Sequence, residues 1–318
     1  MFWTFLQRSI RFSTIFLYGA TGEIITEKSG HLNLGIPGIM CIGAVGGVIG
    51  ESLYLKSLAD ISNINGFAAV FVPIIFAMLF AALAGLLFSF MTVTLRCNQN
   101  VTGLTITTFG IGFIGFYMNR IDKTNFGIAS TYFTNGFPCA ADAGWFGQMF
   151  LSYGTLVYLA IIIAVIAAVV IKRTRTGLNL RAVGENPATA DAAGINVTKY
   201  RYIATIVGSA FAGLGGLFYI MDYLGGNIEY SVDTYGWMAV ALVIFSVWKP
   251  NWGILGSILF GALYIAPNYL NVSFSQKELV KLIPYVVTII VLIITSIVNK
   301  RESQPPAALG TSYFREER

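Results

Sequence analysis

From Phe67 to Leu95 the chain carries no charged side chain and is broken only by Pro73. A helix of about 20 residues spans the roughly 30 Å hydrocarbon core of a bilayer, so a run of this length and apolarity is built to lie in lipid. Further apolar stretches follow at 101–119, 152–171, 202–221, 235–247, 253–270 and 279–298. Only 11% of all residues are charged, against roughly 25% in soluble domains, and the mean hydropathy is +0.71. No succession of alternating ten-residue segments suggests a membrane barrel. The expected fold is an all-α, polytopic integral membrane protein with about 8–10 transmembrane or re-entrant helices, forming one domain over residues 1–301. Residues 302–318, with Pro305-Pro306 and mixed charge, are expected to be a disordered cytoplasmic tail.

Charge sets the orientation. The loop 172–201 holds six Lys or Arg against Glu185 and Asp191, which by the positive-inside rule makes it cytoplasmic. The segment after the next span carries Asp222, Glu229 and Asp233 and no Lys or Arg, as suits the opposite side. Residues 120–151 read as an external loop, and Trp248-Lys249-Pro250-Asn251-Trp252 as a cytoplasmic corner with two interfacial tryptophans. Arg8 and Arg11 favour a cytoplasmic N-terminus. That choice leaves an odd half-turn before residue 67, which calls for a re-entrant excursion or one discontinuous span between Phe12 and Gly50. The net charge of +5 is therefore a matter of topology and requires no nucleic acid. Cys41, Cys97 and Cys139 are too scattered for a disulfide or a metal cluster.

A polar, glycine-punctuated break interrupts the apolar N-terminal region: Thr26-Glu-Lys-Ser-Gly-His-Leu-Asn-Leu-Gly-Ile-Pro-Gly-Ile-Met-Cys-Ile-Gly-Ala44. Irregular backbone at membrane depth persists only where protein or a watery cavity satisfies it, so this break is a candidate gate in a pathway, the alternative being an ordinary loop between two helices. It contains the only histidine, His31, beside Asn33, Gly35 and Pro37, with Glu23 just before it. Ionisable groups in apolar spans are costly and mark function, although Glu23 and Glu27 could equally pair with Lys28. On the 101–119 span, Thr105, Thr108 and Phe109 are further pathway candidates. Phe109, Phe113, Phe116 and Tyr117 could stack on a planar solute or simply pack, and a threonine hydroxyl more often bonds back to its own helix.

In the basic loop, Asn186 suits an N-cap, Pro187 the first helical position, Ala188 to Ala193 a helix, and Gly194 the left-handed residue that ends it. These signals predict a helix of about two turns, too short to hold alone in water.

Arg181-Ala-Val-Gly184-Glu185-Asn186-Pro187-Ala188, running on to Ala192-Ala-Gly194-Ile-Asn196, resembles the coupling loop of permease subunits in bacterial ABC importers. The relevant branch includes branched-chain amino acid, ribose and nucleoside permeases. Glu27-Lys-Ser-Gly-His-Leu-Asn-Leu-Gly-Ile-Pro-Gly38 similarly resembles that branch's Glu-Arg-x-Gly-x-x-Asn-x-Gly-x-Glu-Gly signature, with Lys28 for the usual Arg and Pro37 for a common Glu. The resemblance implies a permease subunit in the bacterial cytoplasmic membrane that moves a small polar solute, a nucleoside or simple sugar, by alternating access. It implies that Glu185, Asn186 and Pro187 present the short helix to a separate ATPase, which carries ATP and Mg while this chain binds no cofactor. It further implies a second permease chain, a paralogue or an identical copy, an extracytoplasmic substrate-binding lipoprotein, and lipid around the whole. The sequence has no Gly-x-x-x-x-Gly-Lys-Ser/Thr phosphate loop and no paired acid and base or metal-ligand set, so it reads as a transport subunit and not an enzyme. The competing reading is a stand-alone secondary transporter driven by an ion gradient.

Overall fold

The structure, a computed structural model, describes residues 2–137, 140, 144–227, 231–269, 274–298 and 304–314. Among them all regular structure is helical. The order is α1 (Phe2–Glu27), α2 (Ile36–Ser57), α3 (Gly66–Ser89), α4 (Gln99–Met118), α5 (Phe126–Thr134), α6 (Gly144–Phe150) and α7 (Thr155–Arg173), then α8 (Arg175–Glu185), α9 (Pro187–Ala192), α10 (Val197–Leu217), α11 (Val232–Phe245), α12 (Pro250–Ile265), α13 (Phe274–Val280) and α14 (Ile283–Val298). Wider π turns extend α3 over Phe90–Thr94 and α10 over Phe218–Tyr223. Among the described residues five helices, α2, α3, α4, α7 and α10, are long and apolar enough to cross a membrane.

The core is centred on α2 and α10. Helix α2 is apolar on every side and packs against α3, α4, α10 and α11, as expected of a helix surrounded by others. In lipid there is no hydrophobic gain from bringing two helices together, so close backbone approach and dispersion must hold them. Gly22 of α1 and Gly208 of α10 meet in this way: a Cβ on either would collide with the other's carbonyl oxygen. The outer faces of α3 and α7 expose Phe67, Phe71, Leu79, Leu83, Ile162 and Ile166, a surface suited to lipid.

Long-range bonds show which helix ends share a face of the bundle. At the basic end, the turn after α1 touches Gly184, the start of α4 reaches Thr311, and Trp248 after α11 donates to Glu27. At the far end, Arg11 Nε donates to Asp222 Oδ1 at 2.8 Å and the Gln7 amide donates to the Gln148 carbonyl. Helix α1 therefore starts at the far end and finishes at the basic end. This corrects the expected placement of the N-terminus: α1 and α2 are two complete helices of 26 and 22 residues, and neither a re-entrant excursion nor a split span is needed. Arg11 misleads the charge count because Asp222 neutralises it.

Other differences have equally local causes. The stretch expected to be an external loop is not plain coil but holds α5, which packs on the π turn after α10, and α6. Of the two corner tryptophans, Trp252 is exposed as an interfacial residue should be, whereas Trp248 is buried at 7% exposure. Residues 304–314, expected to be disordered, instead lie along the basic end: Ala308 N donates to Gly184 O (2.9 Å), Gly310 N to Gly30 O (3.2 Å), and Tyr313 OH to Asp191 Oδ2 (2.8 Å). Cys41 and Cys97 are free, and Cys139 lies outside the described residues.

Candidate coupling site and gate

The short helix forms where its local signals place it. Asn186 stands outside helical geometry and its side chain accepts from Thr189 N at 3.0 Å; Pro187 opens α9, and Gly194 takes φ +83° beyond its end. An N-cap of this kind contributes about 1 kcal/mol. Helix α9 is not left to itself. Ala190 is buried with Val183 of α8 and Val197 of α10, and Tyr313 of the tail packs on this cluster. Helix α8 lies in what reads from sequence as plain loop. It is capped by Thr174, whose hydroxyl accepts from Gly177 N at 3.0 Å. A Thr three residues ahead of that N–H is the signal that could have found it. Arg181, Glu185, Asn186, Thr189 and Gly194 are exposed, and Pro187 and Ala188 are half-buried, so the α8–α9 corner presents a polar rim and two small apolar groups outward.

Gly184 joins this corner to the N-terminal break. A Cβ there would strike the Lys28 carbonyl and stand 3.1 Å from Gly30 N, and Gly30 itself has φ +78°. Only glycine pairs permit such contact, and φ in this region costs other residues strain. Burial pulls the Lys28 ammonium below its ordinary pKa, and the Glu185 carboxylate nearby counters that pull.

The break survives because its backbone is satisfied almost group by group, as buried irregular chain must be. Leu32 N donates to Gln99 Oε1 (2.8 Å), Asn33 N to Glu23 Oε1 (3.1 Å) and Gly35 N to Asn33 Oδ1 (2.9 Å), while Leu34 O accepts from Thr107 Oγ1 (2.9 Å). Pro37, in the first turn of α2, needs no acceptor for a missing N–H and packs against Gly236 of α11.

His31 bolts three elements together. Its Nδ1 lies 2.8 Å from Thr205 Oγ1 on α10, and its Nε2 lies 2.7 Å from Thr92 Oγ1 beyond α3. Burial, aided by the Arg201 charge, pushes its pKa down to about 3, so the ring carries one proton. One nitrogen donates and the other accepts. Each threonine hydroxyl also reaches its own helix carbonyl, Phe88 O for Thr92 (2.7 Å) and Arg201 O for Thr205 (2.9 Å). The threonine that donates to the ring must release that carbonyl, so the two tautomers trade one helix bond for the other.

Glu27, one turn after Glu23, accepts from the Trp248 indole. Sequence reasoning misses Trp248, which looks like an interfacial anchor and has no local mark of this role. Neither glutamate makes an ion pair with Lys28 among the described residues.

The predicted pathway residues fall into two groups rather than one. Glu23, His31, Asn33, Gly35 and Pro37 are buried inside the bundle at its basic end. Thr105, Thr108 and Phe109 lie on the exposed face of α4, where with Val101 and Leu104 they line a shallow groove. The hydroxyls of Thr105 and Thr108 bond back to Val101 O (2.8 Å) and Leu104 O (3.0 Å), leaving their lone pairs outward. Phe109, Phe113 and Tyr117 pack in a row as tilted ring pairs, with centroids 5.7 and 4.5 Å apart. Among the described residues no cluster of His, Cys, Asp and Glu could hold a metal.

Comparison with known proteins bears on this arrangement. The chain is 30% identical to the guanosine ABC transporter permease NupQ of Bacillus subtilis over 94% of this chain and 92% of that one. It is 29% identical to the nucleoside ABC transporter permease NupC of Lactococcus lactis over 88% of each; NupB of the same organism matches at 25% over 78% of this chain. A Haloferax volcanii protein provisionally named glucose ABC transporter permease TsgC13 is 30% identical over 81% of this chain and 75% of its own length. No solved structure matches significantly. The family described as branched-chain amino acid transport system / permease component matches residues 5–292, and this chain belongs to it.

Proposed function

We propose that this chain forms half of the membrane pathway of an ATP-driven importer for nucleosides, with its basic end in the cytoplasm. The observation that carries the reading is the glycine-to-glycine contact between Gly184, at the root of α9, and Gly30, at the head of the gate. Force applied to the exposed Glu185–Ala188 corner by a closing ATPase pair would pass through rigid backbone into the break and so to α1 and α2. Alternating access requires a linkage of this kind between an external drive and a two-state element.

In this reading Arg181, Gly184, Glu185, Asn186, Pro187, Ala188 and Gly194 build the docking knob for a groove on the ATPase, which holds ATP and Mg. Glu23, His31, Asn33, Gly35 and Pro37 hold the gate. The exposed face of α4 turns toward a second permease, with Thr105 and Thr108 offering acceptors and Phe109 a stacking surface to the solute. Nucleosides are favoured over sugars because three of the relatives above are named for nucleosides and because a base offers a plane to Phe109. The occurrence of NupB beside NupC in one organism supports a paralogous second permease. An extracytoplasmic lipoprotein would deliver the solute.

Reconstitution into liposomes with the partner permease, the ATPase and the binding protein tests this. Uptake of labelled guanosine should require ATP and should fail with Glu185→Lys although ATP hydrolysis persists. Guanosine uptake by this chain alone under an ion gradient would overturn the proposal in favour of a secondary transporter.

A further inference from the structure

Arg201, in the second turn of α10, is 2% exposed, and its guanidinium is only partly used. Nη1 donates to Thr311 O at 3.1 Å, while Nε and Nη2 have no hydrogen-bond partner among the described residues. Those two donors form one edge of the guanidinium, the parallel fork that grips a carboxylate or phosphate with two bonds. A buried guanidinium with that edge empty is costly, and a bound oxyanion is the arrangement that offsets the cost.

Arg201 is among the residues that line a cavity of about 660 Å³ at the basic end, together with Thr92, Arg96, Asp191, Lys199 and Tyr313, and its two unpaired donors are themselves buried. A space of roughly 300–1,000 Å³ accepts a small organic ligand. The first turn of α10 borders the same space at Val197 and Thr198, which brings the positive end of the helix dipole to it. Three cations face the cavity against one carboxylate, Asp191, whose Oδ2 already accepts from Tyr313 OH. The excess suits a group of more than one negative charge, such as a phosphate monoester at about −1.5 to −2, better than a single carboxylate.

We propose that this cavity is a phosphate-binding site roofed by the C-terminal tail and distinct from the solute pathway. The tail contributes Thr311 O on Arg201 and Tyr313 on Asp191 of α9, and the Phe314 ring lies 4.7 Å from the Arg96 guanidinium. An anion seated on Arg201 therefore sits between the tail, α9 and α10, and its binding tightens the clasp on the coupling helix. The phosphate comes either from a small cytoplasmic phosphate ester or from an anionic lipid headgroup. Placing that ester in the cytoplasm rests on the orientation proposed above, and the site itself does not.

Purified full chain in nanodiscs of zwitterionic lipid is titrated calorimetrically with inorganic phosphate and with ribose 5-phosphate. In parallel, chain purified with its native lipids is examined for retained phosphatidylglycerol by mass spectrometry. Arg201→Gln removes the fork. Arg96→Asn, at an exposed position with φ +59° that asparagine tolerates, keeps the test valid if the buried variant fails to fold. Saturable phosphate binding that weakens about tenfold or more in Arg96→Asn, the scale of one lost charge-assisted contact, supports a soluble ester. No phosphate binding, but a phosphatidylglycerol retained by the wild type and lost from Arg96→Asn, supports the headgroup. Neither ligand bound, or binding unchanged in the variants, overturns the site. Uptake of guanosine is read separately and does not enter this test.

Discussion

Gly184 and Gly30 touch through backbone, so closely that a Cβ added to Gly184 would stand only 3.1 Å from Gly30 N. One glycine belongs to the α8–α9 corner and the other to the N-terminal break, so any side chain at the contact must separate the two. Gly184→Val should cost about 1–3 kcal/mol as an overpacked site does. It should cut uptake by the reconstituted importer severely while leaving ATP hydrolysis by the ATPase pair running. Uptake equal to wild type would show that force does not travel through this contact.

Asn186→Ala removes the cap of a helix only six residues long. A loss of about 1 kcal/mol should fray it, and Asn186→Asp, which caps as well, should restore it. Hydrogen exchange at Ala190 N, which donates to Asn186 O, should quicken in the alanine variant only. Equal exchange in all three forms would mean that the Val183–Ala190–Val197 packing alone holds α9.

Trp248→Phe keeps most of the buried ring but deletes the N–H that Glu27 accepts. An unsatisfied buried acceptor costs about 1–3 kcal/mol, so the variant should unfold at lower temperature in detergent. Trp252→Phe, on an exposed residue, should unfold with the wild type. The reverse order would place the structural tryptophan at the wrong position of the corner.

His31 supplies a pH signature of definite sign. Its folded pKa of about 3 lies below the ordinary value near 6.5, so the unfolded chain takes up a proton first as pH falls. Its contribution to stability is therefore complete above about pH 6.5 and declines below it, by up to about 1.4 kcal/mol per pH unit. Thermal unfolding of His31→Gln should lack that component between pH 6.5 and 5. A variant that followed the wild-type pH dependence would mean that the ring is already charged in the folded protein.

Much of the architecture is legible in the chain because its causes are local. Apolar runs longer than a bilayer declare spans whatever they pack against, and the hairpin of α3 and α4 lies within a few residues of where hydropathy puts it. Asn186, Pro187 and Gly194 act on their immediate neighbours, so α9 can be read from a short stretch of sequence. Thr105 and Thr108 bonding to their own helix is the simpler of two local outcomes.

Other features depend on pairs of residues brought together from distant points in the chain, and no local pattern announces them. Charge counting misreads the direction of α1 because Arg11 looks like an unpaired positive charge until Asp222, 211 residues away, lies against it. Trp248 reads as an interfacial anchor until the bundle sets its indole on Glu27, 221 residues away. The tail looks like solvent-swollen chain by composition, yet its backbone is held by the carbonyls of Gly30 and Gly184. By itself the sequence determined the class of fold, the long apolar helices and the short capped helix α9, since solvation and capping act within one helix or turn. The tertiary structure alone decided how His31 ties the N-terminal break to Thr92 and Thr205 and what the root of α9 lies against, because those contacts exist only once separate helices have packed.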